Sequence, residues 1–180
     1  MKSPTSSKTI LVKTELEPHL IAFHCPESGG YYLPAESYWR WLGKNPTRLP
    51  QLPHSGENLP EEEEITSSRL CPESGMLMTR YKVGHGFSFS IDRSPSGGIW
   101  LDKGEWEALR EHNFHDELHL IFTLPWQNKV RRAESQEKLD QLLRDRIGAE
   151  AVEKAQDFRD WMEAQPDQSA IMAFLQRSQR

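Results

Sequence analysis

The chain has 180 residues, a formal net charge of −5 and a mean hydropathy of −0.73. That length suits one ordinary domain or two small ones, and the acidic balance argues against a general nucleic-acid surface, which usually carries a basic excess. No apolar run approaches the roughly 18 residues of a membrane-spanning helix, and two cysteines far apart in the chain do not suit a disulfide framework. We therefore expect a cytoplasmic protein.

The chain contains a weak internal repeat. The pentapeptide Cys-Pro-Glu-Ser-Gly occurs at residues 25–29 and 71–75, and shifting the chain by 68 residues aligns Tyr32 with Trp100 and Gly30 with Gly98. Each unit reads as a turn, a hairpin of short strands, a second turn and the start of a helix. The repeat therefore predicts two similar β units, at 1–45 and 69–111.

The elements follow in chain order. A helix starting at Pro34 closes the first unit, and a linker rich in proline and glutamate covers 46–68, including the acidic run at 61–64. In the second unit, strands at 76–81 and 86–91 precede a helix at 103–111, where Asp102 and Glu105 have the spacing of a capping box.

Residues 112–180 read as a helical region. We predict helices at 127–147 and 149–164 and a short last helix capped by Asp167. Each has an apolar stripe that we expect to be buried, with these members: Leu139, Leu142, Leu143 and Ile147; Val152, Ala155, Phe158 and Trp161 or Met162; Ala170, Ile171, Phe174 and Leu175.

Residues 71–75 and the run that follows about twenty residues later resemble the bacterial transcription-factor-IIB-type zinc-ribbon family. Members carry a Cys-Pro-x-Cys-Gly knuckle, a hairpin, a second knuckle and then an aromatic residue with Leu-Asp-x-Gly-Glu. The matching residues of this chain are Gly97, Gly98, Trp100, Leu101, Asp102 and Glu105. The resemblance covers about 69–110, and 3–42 only through the repeat. It implies small metal-binding modules that bind nucleic acid or protein.

The family's zinc-ligand positions fall mostly on residues that bind zinc poorly. They are Ser3, Ser6, Cys25 and Ser28 in the first unit, and Cys71, Ser74, Arg93 and Ser96 in the second. A serine hydroxyl resists deprotonation near neutral pH, whereas a thiol yields its proton to the metal. We therefore expect no zinc and no other cofactor, and we expect apolar packing between the units or against the C-terminal helices to replace it. The aromatic residues expected to supply that packing are Tyr31, Tyr32, Trp39, Trp41, Trp100 and Trp106.

Three alternatives remain open. His112, His115 and His119 would share one face if they lay on one continuous helix, and such a face could bind a metal. Tyr31, Tyr32 and Trp41 could instead form an exposed stacking platform for single strands. A basic stripe of Lys129, Arg131 and Arg132 with Arg93 or Arg80 would indicate nucleic-acid binding.

The sequence favours an α+β fold with two metal-free, zinc-ribbon-like β units followed by a C-terminal helical region. No acid–base pair is recognisable in the sequence. The two cysteines are not expected to be nucleophiles, because each lies in a turn of the knuckle type. We expect a non-catalytic interaction or regulatory protein of a bacterial cytoplasm. Its expected partner is another protein, with nucleic acid as the second hypothesis and a histidine-based metalloprotein as the third.

Overall fold

A computed structural model describes residues 1–53, 59–60 and 68–177. The chain divides into two compact units, Met1–Val130 and Arg131–Arg180. The α+β composition is confirmed. The elements are β1 Val12–Glu17, β2 Leu20–His24, β3 Tyr31–Leu33, α1 Ala35–Leu42, β4 Thr79–Gly84, β5 Phe87–Arg93, β6 Ile99–Leu101, α2 Glu105–Glu111, α3 Leu118–Ile121, α4 Leu124–Ile147, α5 Ala149–Glu163 and α6 Gln168–Leu175.

All six strands belong to one antiparallel sheet in the order β1-β2-β3-β6-β5-β4. Each half is a β-β-β-α unit, and the halves meet where β3 pairs with β6. Tyr32 lies opposite Trp100 in that pairing, and these are two residues that the 68-residue shift aligns. The two halves that the sequence repeat relates are therefore arranged with approximate two-fold symmetry about the centre of the sheet.

The two faces of the sheet carry different cores because successive side chains of a strand point to opposite sides. The larger core includes Leu33 and Leu101 and packs against Tyr38 and Trp41 of α1 and Trp106 of α2. The smaller one has these buried members: Leu11, Cys25, Tyr32, Cys71, Met78 and Trp100.

The expected aromatic packing is confirmed for Tyr32, Trp41, Trp100 and Trp106, all of which are buried. The prediction is wrong for Trp39, whose side chain on α1 is 53% exposed. Tyr32 and Trp41 are consequently unavailable as a stacking platform for single strands.

The start of α4 packs on the sheet unit. Trp126 donates its indole N–H to the Val83 carbonyl at 2.8 Å, and Gln127 donates to the Lys82 carbonyl at 2.9 Å. The sequence predicts that this helix begins at residue 127, after Pro125. The helix instead begins at Leu124, because proline is tolerated in a first turn, where its missing N–H has no intrahelical partner.

The described part of the 46–68 segment is attached to the sheet unit. The Arg48 amide donates to the Asp116 carboxylate and the Gln51 amide donates to the His112 carbonyl, both at 2.8 Å. The acidic run at 61–64 lies outside the described residues.

The second compact unit holds most of α4 with α5 and α6. Asp167 caps α6 as predicted, accepting a hydrogen bond from the Ala170 amide at 3.0 Å. The predicted burial of the apolar stripes is wrong: among residues 131–177 only Val152 is buried, and residues such as Leu142 and Trp161 are exposed. Within the described residues, no helix combines the length and the apolar character needed to cross a bilayer.

Candidate functional site

Four turns that begin with Cys-Pro or Ser-Pro are each closed by a backbone hydrogen bond across the turn. The Cys25 amide donates to the Gly30 carbonyl at 2.8 Å, and the Cys71 amide donates to the Met76 carbonyl at 2.8 Å. The Ser94 amide donates to the Gly98 carbonyl at 2.8 Å, one residue nearer, and the Ser3 amide donates to the Thr9 carbonyl at 2.9 Å, one residue farther. Each unit therefore has two knuckle-like turns, of which one carries a cysteine.

In the second unit, hydroxyl groups surround the sulfur of Cys71. Burial by itself would raise the pKa of this thiol, but hydrogen bonds that include those from Ser74 and Ser94 lower it to about 7. The Ser94 and Ser96 hydroxyls lie 2.8 Å apart. The position assigned to Arg93 is therefore taken by Ser94, while the Arg93 guanidinium stacks over the Phe122 ring at 4.8 Å.

The first unit repeats this arrangement around Cys25. Burial raises the pKa of the Cys25 thiol, but hydrogen bonds from Ser28 and Ser3 outweigh that effect and lower it to about 7. The Ser3 hydroxyl lies 2.8 Å from the Thr5 hydroxyl, and Thr5 Oγ1 lies 3.9 Å from the sulfur. Ser6 instead contacts Thr9, whose hydroxyl it accepts at 3.0 Å.

These donor sets do not fit a structural zinc ion. Each cluster offers one thiol, and its remaining oxygen donors are neutral hydroxyls that already bond to the sulfur or to each other. Structural zinc takes four ligands of the thiolate or imidazole type. Within the described residues, no three His, Cys, Asp or Glu side chains gather closely enough to hold a metal ion. In each cluster the hydroxyl groups form hydrogen bonds with the sulfur and with each other, and these bonds hold the turns together.

The central aromatic residue of the first unit contacts the Cys71 cluster of the second unit. Tyr32 belongs to the first unit, yet its hydroxyl lies 3.2 Å from the Cys71 sulfur and donates to the Glu73 carboxylate at 2.8 Å. Burial and these two neighbours raise the pKa of Tyr32.

Two glycines leave the space in which the central aromatic ring of each unit packs against the other unit. A Cβ on Gly98 would lie 2.0 Å from the Tyr32 hydroxyl, and a Cβ on Gly30 would lie 2.5 Å from the Trp100 ring. Each unit therefore inserts its central aromatic residue over a knuckle glycine of the other unit.

A charge network lies next to Trp100 and was not predicted. Arg69 Nη1 donates to Asp92 and to Asp102 at 2.8 Å each, and Arg80 also donates to Asp92 at 3.1 Å. Asp102 Oδ1 accepts the Trp100 indole N–H at 2.8 Å. Arg69 and Asp92 are both buried, so this network fixes the chain entering the second unit to β5 and to the turn between β6 and α2.

Only one of the two hydrogen bonds of the predicted capping box forms. Glu105 accepts the Asp102 amide at 2.6 Å, but the Asp102 side chain faces Arg69 and Trp100 and does not cap the helix. Burial and the neighbouring Asp102 raise the pKa of Glu105 well above its ordinary range.

The three histidines do not share a helix face. Helix α2 ends at Glu111, Asn113 has a φ of 58°, and the next helix begins at Leu118. His115 is buried against Trp41 and Trp106, with ring centroids 5.6 and 5.8 Å apart. The remaining two contact other groups: His112 Nδ1 lies 2.9 Å from the Ala108 carbonyl and His119 Nδ1 lies 3.2 Å from the Tyr38 hydroxyl. The structure therefore does not form the metal-binding face.

Two arginines of the predicted basic stripe, Arg80 and Arg93, interact with other side chains of the sheet unit. Arg80 pairs with Asp92, and Arg93 stacks on Phe122. Nucleic-acid binding stays a prediction.

An exposed apolar pair marks the first knuckle of the second unit. Leu70 and Leu77 form an antiparallel bridge, which places their side chains side by side, and they are 55% and 57% exposed. The equivalent bridge of the first unit joins Lys2 and Ile10. The second unit alone therefore presents two adjacent large apolar side chains at this position.

No family model, no curated protein and no solved structure matches this chain.

Proposed function

We propose that this chain is a non-catalytic protein-binding module built on two fused, zinc-ribbon-like units that have lost their metal. The Leu70–Leu77 pair carries the proposal. It joins two large apolar side chains on a turn that hydrogen bonds and the Arg69 network hold in place. The buried centre of a protein–protein interface is more apolar than the rest of the surface, and a preorganised contact loses little conformational freedom on binding.

The thiols support binding rather than catalysis. Cys25 and Cys71 have depressed pKa values, which is typical of a nucleophile, but their side chains are buried and hydrogen-bonded inside the turns. A substrate could not reach either sulfur without opening a knuckle. Four closed turns that lack a zinc-binding set of ligands support a scaffold whose role lies in its surface.

The experiment compares capture of a partner by three forms of the immobilised full chain in an extract of its native cells. These are the unmodified protein, the Leu70→Ser/Leu77→Ser double variant and the Ile10→Ser variant as the matched control in the first unit. We expect the unmodified protein and the control to retain the same protein, and the double variant to lose it. Thermal unfolding checks that all three are folded.

If all three forms retain the partner equally, the Leu70–Leu77 pair is not the binding surface. Retention that disappears after nuclease treatment, or that falls steeply with salt, would replace this proposal with nucleic-acid binding.

A further inference from the structure

The helices α4 and α5 carry apolar stripes that are exposed. On α4, Leu142, Leu143 and Ile147 follow Leu139 by three, four and eight residues, so the four side chains share one face. On α5, Phe158 and Trp161 stack with ring centroids 5.4 Å apart, and the Trp161 side chain is 52% exposed. Exposed stripes of this size on neighbouring helices indicate an interface.

The connection between the helices prevents these stripes from covering each other within one chain. Helix α4 ends at Ile147 and α5 begins at Ala149, so Gly148 alone joins them, with a φ of 87° and a ψ of 151°. Two helices that fold back side by side need a loop of about two to five residues. In accord with this, α4 and α5 form no extensive packing contact within the described part of the chain.

The charges of the two helices are complementary. Helix α4 has six basic and four acidic side chains, whereas α5 has two basic and five acidic ones. Lys138 precedes Leu142 by four residues, and Asp157 precedes Trp161 by four residues, so the two charges flank the same side of their stripes. When two helices pack antiparallel, flanks of the same side face each other.

We propose that a second copy of this chain covers the stripes. Helix α4 of one copy packs antiparallel on α5 of the other, and the same contact occurs twice about a two-fold axis close to Gly148. This arrangement buries both stripes and places Lys138 of each copy opposite Asp157 of the other. The contact is isologous, so it closes at a dimer and does not propagate into a filament. It is independent of the Leu70–Leu77 surface.

The first test measures the mass of the full chain by sedimentation velocity over a range of concentrations. The unmodified protein should reach twice its chain mass of 20.9 kDa. Leu142→Glu should keep it monomeric, because a charge is placed in the centre of the apolar contact. Gln141→Glu adds the same charge on the opposite face of α4 and should leave the dimer intact. A monomeric unmodified protein, or a dimer that persists in Leu142→Glu, would overturn the proposal.

The second test examines the pairing of the helices. Lys138→Glu should weaken dimerisation about tenfold, because the like-charge contact occurs twice in a symmetric dimer. Adding Asp157→Lys to the same chain should restore the affinity. Failure of the double variant to recover would refute the antiparallel α4–α5 pairing, and circular dichroism of each variant verifies that the helices are formed.

Discussion

Replacing Gly98 with alanine should destabilise the sheet unit, because the space at this position is filled by Tyr32. A Cβ would lie 2.0 Å from the Tyr32 hydroxyl oxygen and 2.6 Å from the ring carbon that bears it. The backbone at Gly98 is not in the left-handed region, so the cost is steric. The ring cannot move aside freely, because it is fully buried and its hydroxyl donates to Glu73.

The magnitude follows from two contributions. Overpacking a filled core costs about 1–3 kcal/mol. Displacing the Tyr32 hydroxyl also removes a hydrogen bond to a carboxylate, which contributes about 1.5–3 kcal/mol. We therefore expect the free energy of unfolding to fall by about 2.5–6 kcal/mol, measured by urea denaturation with tryptophan fluorescence.

The matched control is Gly43→Ala, where the nearest atom, the Trp39 carbonyl oxygen, lies at an ordinary 3.5 Å and φ is −65°. This change should alter the free energy of unfolding by no more than about 1 kcal/mol. In a double-mutant cycle, Tyr32→Leu should relieve most of the Gly98→Ala cost, because the two side chains compete for one space. A Gly98→Ala protein of unchanged stability would refute the claim that Tyr32 fills the space at Gly98. So would a double variant whose change in the free energy of unfolding equals the sum of the two single changes.

Three further predictions concern buried charge and can be checked by urea unfolding at several pH values. The pKa values of Cys25 and Cys71, lowered from 9 to about 7, contribute stability that is complete above pH 9 and lost as the pH falls through 7. The protein should thus gain up to about 3 kcal/mol per thiol between pH 7 and 9, and Cys25→Ala should flatten the profile. Arg69→Met should lower the free energy of unfolding by about 3 kcal/mol, because it leaves the buried Asp92 with one partner fewer; a loss below about 1 kcal/mol would contradict this. Glu105→Gln keeps the hydrogen-bond acceptor and removes a carboxyl whose pKa is raised in the fold, so its stability relative to the unmodified protein should increase with pH; a decrease would contradict the burial of that charge.

The sequence contained enough local information to predict the repeat and most of the elements. The proline after each knuckle residue and the Gly97-Gly98 pair specify turns by backbone sterics, and the 68-residue shift aligned the residues that pair at the centre of the sheet. Helix ends were predictable where a side chain caps them, as Asp167 does.

Other features could not be read from local patterns. The second knuckle of the second unit is one residue shorter than residues 25–30, so a fixed ligand spacing selected Arg93 where the fold uses Ser94. The missed signal was the Ser-Pro dipeptide at 94–95, which matches Cys-Pro in the other turns. The contact of Arg69 with Asp92 joins residues far apart in sequence, and no periodicity encodes such a contact.

Burial of the stripes on α4 and α5 was predicted wrongly because amphipathicity shows that a face needs a partner without showing that the same chain supplies it. The histidine spacing was similarly insufficient, because Asn113 breaks the helix that would have aligned the three rings.

Zinc content is the most direct test of the claim that hydroxyl groups stand where ribbon thiolates would stand. Metal analysis should compare the unmodified protein with a Ser74→Cys/Ser94→Cys/Ser96→Cys variant, both purified without added metal and then titrated with Zn²⁺. The unmodified protein should contain far less than one zinc per chain, and the variant, with four thiols around the second knuckle pair, should bind one zinc tightly. Stoichiometric zinc in the unmodified protein, or no zinc in the variant, would contradict the account.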